Sequence, residues 1–163
     1  MIPIIGANFK FFVFTESENF RGLHERIMRK PKSWAALILT GKDLDPDQIS
    51  KSLNIEADYS HHPNPEEEID GQWQINSQLD EEVDLEQHLW ELLKRIAGVR
   101  KELKPFLDAH QSSFYCSVEY ADLNVEGLRL ESRTLMLLGS LGVKLVLHPW
   151  KTRDVVSEEL IVS

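Results

Sequence analysis

Apolar side chains recur at steps of three and four residues through residues 84–109. This spacing places them on one face of an α-helix, which has to be buried against another layer of the fold. As a single helix the segment would span roughly 39 Å, and Pro105 is the residue expected to kink it. Asp84 and Gln87 have the spacing of a capping box. We therefore predict one long helix lying on a β-sheet, with these apolar positions facing the sheet: Leu85, Leu89, Leu92, Ile96, Val99, Leu103 and Phe106.

Three further patterns indicate strands. Residues 34–40 are apolar on both alternations, which is typical of a central strand covered on both faces. Residues 71–77 and 114–120 alternate polar with apolar side chains and predict half-buried strands, and residues 143–147 predict a last strand ended by Pro149. The expected fold class is α+β, a two-layer sandwich with a mixed sheet and helices packed on one face, of ferredoxin-like type. A three-layer doubly wound sheet is the alternative, and it would need more fully apolar strands.

The length of 163 residues suits one folded domain with small additions. We expect a strand–helix addition over residues 1–32, a core α+β domain over residues 33–150 and a C-terminal tail over residues 151–163. The single cysteine excludes an internal disulfide framework. No signal peptide and no membrane-spanning run of about 20 apolar residues is visible, so we expect a cytoplasmic protein.

The charge distribution is uneven. The net charge is −9, but residues 42–91 carry fifteen carboxylates and two lysines, a local balance of −13, which leaves +4 for the rest. Nucleic-acid binding needs a basic stripe, and the sequence shows none. The acidic segment predicts either a solvated surface or a surface that attracts a basic protein partner.

Four aromatic or histidine residues are candidates for ligand or partner binding. His88 lies one helical turn after Asp84, at the margin of the apolar stripe, where it has either a structural role or faces a cleft floored by the sheet. Trp90 projects roughly 140° away from Leu85, so it is covered by the N-terminal addition, forms a homodimer contact or anchors another interface. Trp73 and Tyr120 lie on predicted strands. The candidates are Trp73, His88, Trp90 and Tyr120.

No catalytic residue, metal site or cofactor is predicted. The adjacent His61 and His62 precede three glutamates, but a zinc site needs ligands held in a fixed arrangement, and this segment has the composition of a polar loop. Alternating aspartates from Asp43 to Asp47 lack the glycine and glutamate of a calcium loop, and Asp45 followed by Pro46 instead predicts a helix cap. Cys116 falls on the apolar side of its strand and is expected to be buried.

Four stretches carry a family resemblance: residues 39–49, residues 71–75, residues 85–89 with Leu92 and Leu93, and residues 138–147. Through them the chain resembles the bacterial Domain of Unknown Function 4279 family over roughly the last four-fifths of its length. The resemblance implies a compact α+β domain and no established activity. By analogy, such proteins look like small binding or immunity-type proteins.

Two hypotheses of different class follow. The first is a non-catalytic binding protein whose carboxylates attract a basic partner; its narrower form is an immunity-type protein that neutralises a basic toxin. The alternative is a small-molecule-processing enzyme with a pocket near Trp73, His88 and Tyr120, in which His88 acts as a general acid or base.

Overall fold

The computed structural model describes residues 30–119 and 127–150. The predicted tail and nearly all of the N-terminal addition lie outside these ranges, so the predicted domain boundaries stay predictions. The described residues form five strands and four helices. In chain order these are β1 (Ser33–Gly41), α1 (Pro46–Leu53), β2 (Tyr59–His61), β3 (Gly71–Asn76), α2 (Leu85–Ala97), α3 (Arg100–Ala109), β4 (Gln111–Glu119), α4 (Ser132–Leu141) and β5 (Lys144–Trp150).

The strands form one open mixed sheet in the order β2-β3-β1-β4-β5. β1 is the central strand, as predicted, and it pairs antiparallel with both β3 and β4. β5 pairs parallel to β4, because the chain crosses over through α4 between them. The strand β2 was not predicted. It has only three residues, and its side chains are exposed or half-buried, so it leaves no periodic apolar signal.

All four helices lie on one face of the sheet. Leu37 and Leu39 of β1 point toward the helices and are fully buried, and the strand register places Phe114 and Trp73 directly beside them on the same face. The predicted α+β fold with helices on one face is confirmed. The expectation that β1 is covered on both faces is met only in part, because on the opposite face Ala36 is fully buried but Trp34 and Ile38 are half-buried.

The predicted single helix over residues 84–109 is wrong. The chain forms two helices, and the break lies at Gly98 and Val99 rather than at Pro105, which lies inside α3. Glycine and a β-branched residue are poor helix formers, and the Val99 amide bonds to Ile96 three residues back. The apolar stripe still faces the core on both sides of the break, so the predicted layer arrangement survives.

The two predicted helix caps had different outcomes. Asp45 caps α1 as expected: its side chain accepts hydrogen bonds from the amides of Asp47 and Gln48 at 3.0 and 3.1 Å. Asp84 makes no capping hydrogen bond at the start of α2. Its carboxylate instead pairs with the ammonium group of Lys30 at 2.8 Å, so the predicted capping box is wrong.

Candidate functional site

His88 is fully buried near the start of α2. Its Nδ1 is hydrogen-bonded to the hydroxyl group of Ser77, which also accepts the amide of Leu79 at 3.4 Å. Nε2 makes no hydrogen bond of normal geometry among the described residues. Burial lowers the pKa of His88 below its usual 6.5, because the imidazolium would lose its hydration, and the carbonyl groups of Val83 and Asp80 partly offset this. His88 is therefore neutral, inaccessible to a substrate and placed for a structural role.

Trp73 is also fully buried, on the helix-facing side of β3. Its indole NH donates a hydrogen bond to the hydroxyl group of Ser50 in α1 at 2.9 Å. The partner of His88, Ser77, lies four residues further along the chain, about 13 Å away in an extended strand. The structure thus does not bring Trp73 and His88 together into one pocket.

Trp90 lies half-buried between α2 and α4. Its indole NH donates to the carboxylate of Glu86 at 3.0 Å, and the guanidinium group of Arg133 lies 5.2 Å from its ring centroid. The Glu86 carboxylate also accepts the amide of Glu131 at 3.2 Å and the hydroxyl of Thr134, so it supplies the N-terminal cap that α4 lacks. Trp90 therefore takes part in fixing α4 on α2, a role that its position on the helical wheel did not reveal.

Two other residues were singled out in the sequence, Tyr120 and Cys116. Tyr120 lies outside the described residues, so its predicted part in a pocket stays a prediction. Cys116 is fully buried in β4, and burial raises the pKa of its thiol to about 12. This confirms the expected burial. A thiol that stays protonated at neutral pH and has no access to solvent is not a nucleophile.

The carboxylates of residues 42–91 do not form a single surface. One group lies where β1 ends and β3 begins, since Gly41 pairs with Gly71 there and the side chain of His62 reaches Asp47 at 3.1 Å. Six of its seven members are exposed, and the seventh, Asp70, is half-buried. We call this group the acidic end; it comprises Asp43, Asp45, Asp47, Glu66, Glu67, Glu68 and Asp70.

Ion pairing distinguishes the acidic end from the other carboxylates. The only salt bridge to it among the described residues is the contact between His62 and Asp47. Elsewhere, Lys30 pairs with Asp84, and Lys32 pairs with Glu81 and Glu82. The guanidinium group of Arg95 lies 3.6 Å from the carboxylate of Asp58 and 3.9 Å from that of Glu91. Within residues 42–91, the paired carboxylates outside the acidic end are Asp58, Glu81, Glu82, Asp84 and Glu91. Lys42 is the one lysine beside the acidic end and forms no salt bridge among the described residues, so seven carboxylates and one lysine leave a net charge of −6 at this end of the sheet.

Three side chains of the acidic end and its neighbouring loop come close enough to share a metal ion. One ligand atom each of Asp45, Asp47 and His62 lies within 4.8 Å of the others, and all three residues are exposed. Asp45 already caps α1, and His62 already pairs with Asp47. Because these two interactions account for the arrangement, we assign no metal to it.

A family model described as Domain of unknown function (DUF4279) matches residues 26–152. This range contains all the stretches on which the sequence resemblance rested, and it confirms the resemblance. No curated protein matches the chain, and no solved structure matches it. None of the helices in the described ranges is long and apolar enough to cross a membrane.

Proposed function

Because the chain belongs to the Domain of unknown function (DUF4279) family, whose description assigns no activity, we propose a function from its own surface. The protein is a non-catalytic binding protein whose acidic end engages a basic protein partner. The observation that carries this proposal is the concentration of unpaired, exposed carboxylates at one end of the sheet, while most of the other carboxylates between residues 42 and 91 have a cation or a hydrogen-bond donor beside them.

The position of the acidic end favours electrostatic attraction of a partner. The two ends of β1 are about 26 Å apart, which is more than twice the Debye length at physiological salt. The lysines beside the opposite end therefore do little to screen the field of the acidic end. Such a field accelerates the encounter with a cationic protein and disfavours anionic ones.

The architecture holds the acidic end in a defined shape. Gly71 lets the backbone of Leu44 and the ring of Pro63 approach closely, since a Cβ atom built on it would lie 2.7 Å from the Leu44 carbonyl oxygen and 2.8 Å from Pro63 Cδ. The loop that carries Glu66 to Glu68 is thereby packed against the segment that carries Asp43 to Asp47. A surface with fixed charges pays less ordering entropy on binding than a flexible one.

The test is capture of partners from a lysate of the source cells with the tagged chain, followed by affinity measurement on the identified protein. The variant Glu66→Gln/Glu67→Gln/Glu68→Gln removes three charges from the acidic end. The control Glu56→Gln/Asp80→Asn/Glu102→Gln removes three exposed, unpaired charges elsewhere. We expect a basic partner whose affinity falls about tenfold in the first variant and less than twofold in the control, and which weakens steeply between 50 and 200 mM salt.

Two outcomes would contradict the proposal: a partner that binds both variants equally, or an affinity that ignores ionic strength. An immunity-type role is the narrower form of the same proposal. It requires that the captured partner be toxic when expressed alone and harmless when expressed together with this protein. The alternative of an enzyme with a pocket near Trp73, His88 and Tyr120 has no observation in its favour, since Trp73 and His88 are both fully buried.

A further inference from the structure

A groove of about 300 Å³ lies between α2 and α4, on the helical side of the molecule. Its floor is apolar. Leu93 and Leu141 in the floor are almost fully buried beneath it, and Leu137 is half-buried beside them. The indole ring of Trp90 forms one wall. A concave site of this size, lined by aliphatic and aromatic side chains, is the usual form of a small-molecule pocket.

Three cations line the same groove: Lys94, Arg100 and Arg133. All three are exposed, and no carboxylate among the described residues forms a salt bridge with any of them. Of the other cations on the described helices, Arg95 and Lys104 have carboxylate partners, and Lys51 and Lys101 do not. Three of the five helical cations without a salt bridge therefore line the apolar groove.

Two of the three cations are held in position by the protein. Arg100 donates from Nη2 to the backbone oxygen of Ser140 at 3.1 Å and to its hydroxyl group at 2.9 Å. Arg133 lies over the ring of Trp90, as described above. A guanidinium group that is fixed in this way loses little conformational entropy when it binds an anion.

We propose that this groove binds a small apolar carboxylate, with the hydrocarbon body on Leu93, Leu137 and Trp90 and the carboxylate at the cationic rim formed by Lys94, Arg100 and Arg133. An apolar floor alone would accept any hydrocarbon, and a cationic surface alone would accept any anion. Their combination in 300 Å³ selects a molecule of about ten to fifteen non-hydrogen atoms that is apolar at one end and anionic at the other. The site is separate from the acidic end and independent of the proposed partner.

The test uses octanoate as the probe, with octanamide and octylammonium as matched uncharged and cationic analogues. Isothermal titration calorimetry on the full chain should show binding of octanoate, with at least about tenfold weaker binding of the two analogues. The variant Arg100→Gln/Arg133→Gln should lower the octanoate affinity about five- to tenfold, because each exposed ion pair contributes a small factor. The control Lys51→Gln/Lys144→Gln makes the same change in net charge away from the groove and should leave the affinity unchanged.

A second variant tests the apolar contact without altering charge. Leu137→Asn should weaken octanoate binding while the groove cations remain, and circular dichroism checks that the chain still folds. Equal binding of octanoate, octanamide and octylammonium would overturn the proposal, as would the absence of octanoate binding.

Residues 158–162, Glu-Glu-Leu-Ile-Val, combine negative charge with apolar side chains, as octanoate does. Binding of octanoate only after Leu160→Ser/Ile161→Ser would identify that segment as the occupant and would also overturn the proposal.

Discussion

The buried, neutral His88 makes the stability of the fold depend on pH in a defined window. In the unfolded chain this imidazole titrates near 6.5, whereas burial holds its pKa lower in the folded protein. Below pH 6.5 the unfolded chain therefore binds more protons than the folded one. The free energy of unfolding is then highest above pH 6.5 and falls as the pH drops toward the folded-state pKa.

The magnitude follows from linkage. The unfolded-state titration of one histidine sets the upper limit: lowering the pH from 7.5 to 5.5 reduces the free energy of unfolding by at most about 1.4 kcal/mol. For a chain of this length that corresponds to a fall in melting temperature of roughly 3 to 5 °C.

The assay is urea denaturation at pH 7.5 and 5.5 for three proteins: the native chain, His88→Gln and the control His148→Gln, which replaces an exposed histidine. His88→Gln can keep a hydrogen bond to Ser77 but cannot be protonated, so its loss of stability between the two pH values should be smaller than that of the native chain, by at most about 1.4 kcal/mol. His148→Gln should behave like the native chain. If the native chain and His88→Gln lose stability equally, His88 is not buried and neutral as described.

Two further predictions concern packing and caps. Glu86→Gln should lower the free energy of unfolding by about 1 to 3 kcal/mol, because the charged acceptor at the start of α4 is lost, whereas the exposed Glu102→Gln should change it by less than about 0.5 kcal/mol. Equal effects in urea denaturation would refute the cap. Gly71→Ala should destabilise by about 1 to 3 kcal/mol, because its new methyl group would meet backbone and ring atoms. Gly98→Ala meets nothing within 4 Å and should be neutral or stabilising, so comparable losses in the two variants would contradict this account.

The fold class could be predicted because the apolar periodicities are long and consistent. The alternation in residues 71–77 and 114–120 indicated which faces of β3 and β4 are buried. The spacing of leucines after Asp84 indicated the buried face of two helices. The break at Gly98 was missed because the apolar stripe continues across it. At the break a hydrogen bond spans three residues instead of four, and so short an interruption leaves the pattern of buried positions almost unchanged.

The candidate sites were harder to predict because they depend on contacts between distant segments. Fifteen carboxylates in one stretch of sequence indicated a single acidic surface, but the chain runs along β3 between Asp70 and Asp80 and so separates the carboxylates on either side of that strand. The groove depends on Arg100 and Arg133, which are 33 residues apart and share no motif. His88 was expected at the margin of the apolar stripe but is fully buried, and its bond to Ser77 could only come from the structure.

The position of β1 in the sheet has a consequence for synthesis of the chain on the ribosome. β1 is the first described strand to be made, and it can form a hairpin with β3 after about 30 further residues. Its other neighbour begins to appear only at Gln111, which pairs with Thr40, 71 residues later. At 5 to 20 residues per second this delay is roughly 4 to 14 s. During that time one edge of the most apolar strand is open, and a nascent chain with this order of strands depends on chaperones or on its early helices to keep that edge from pairing with other chains.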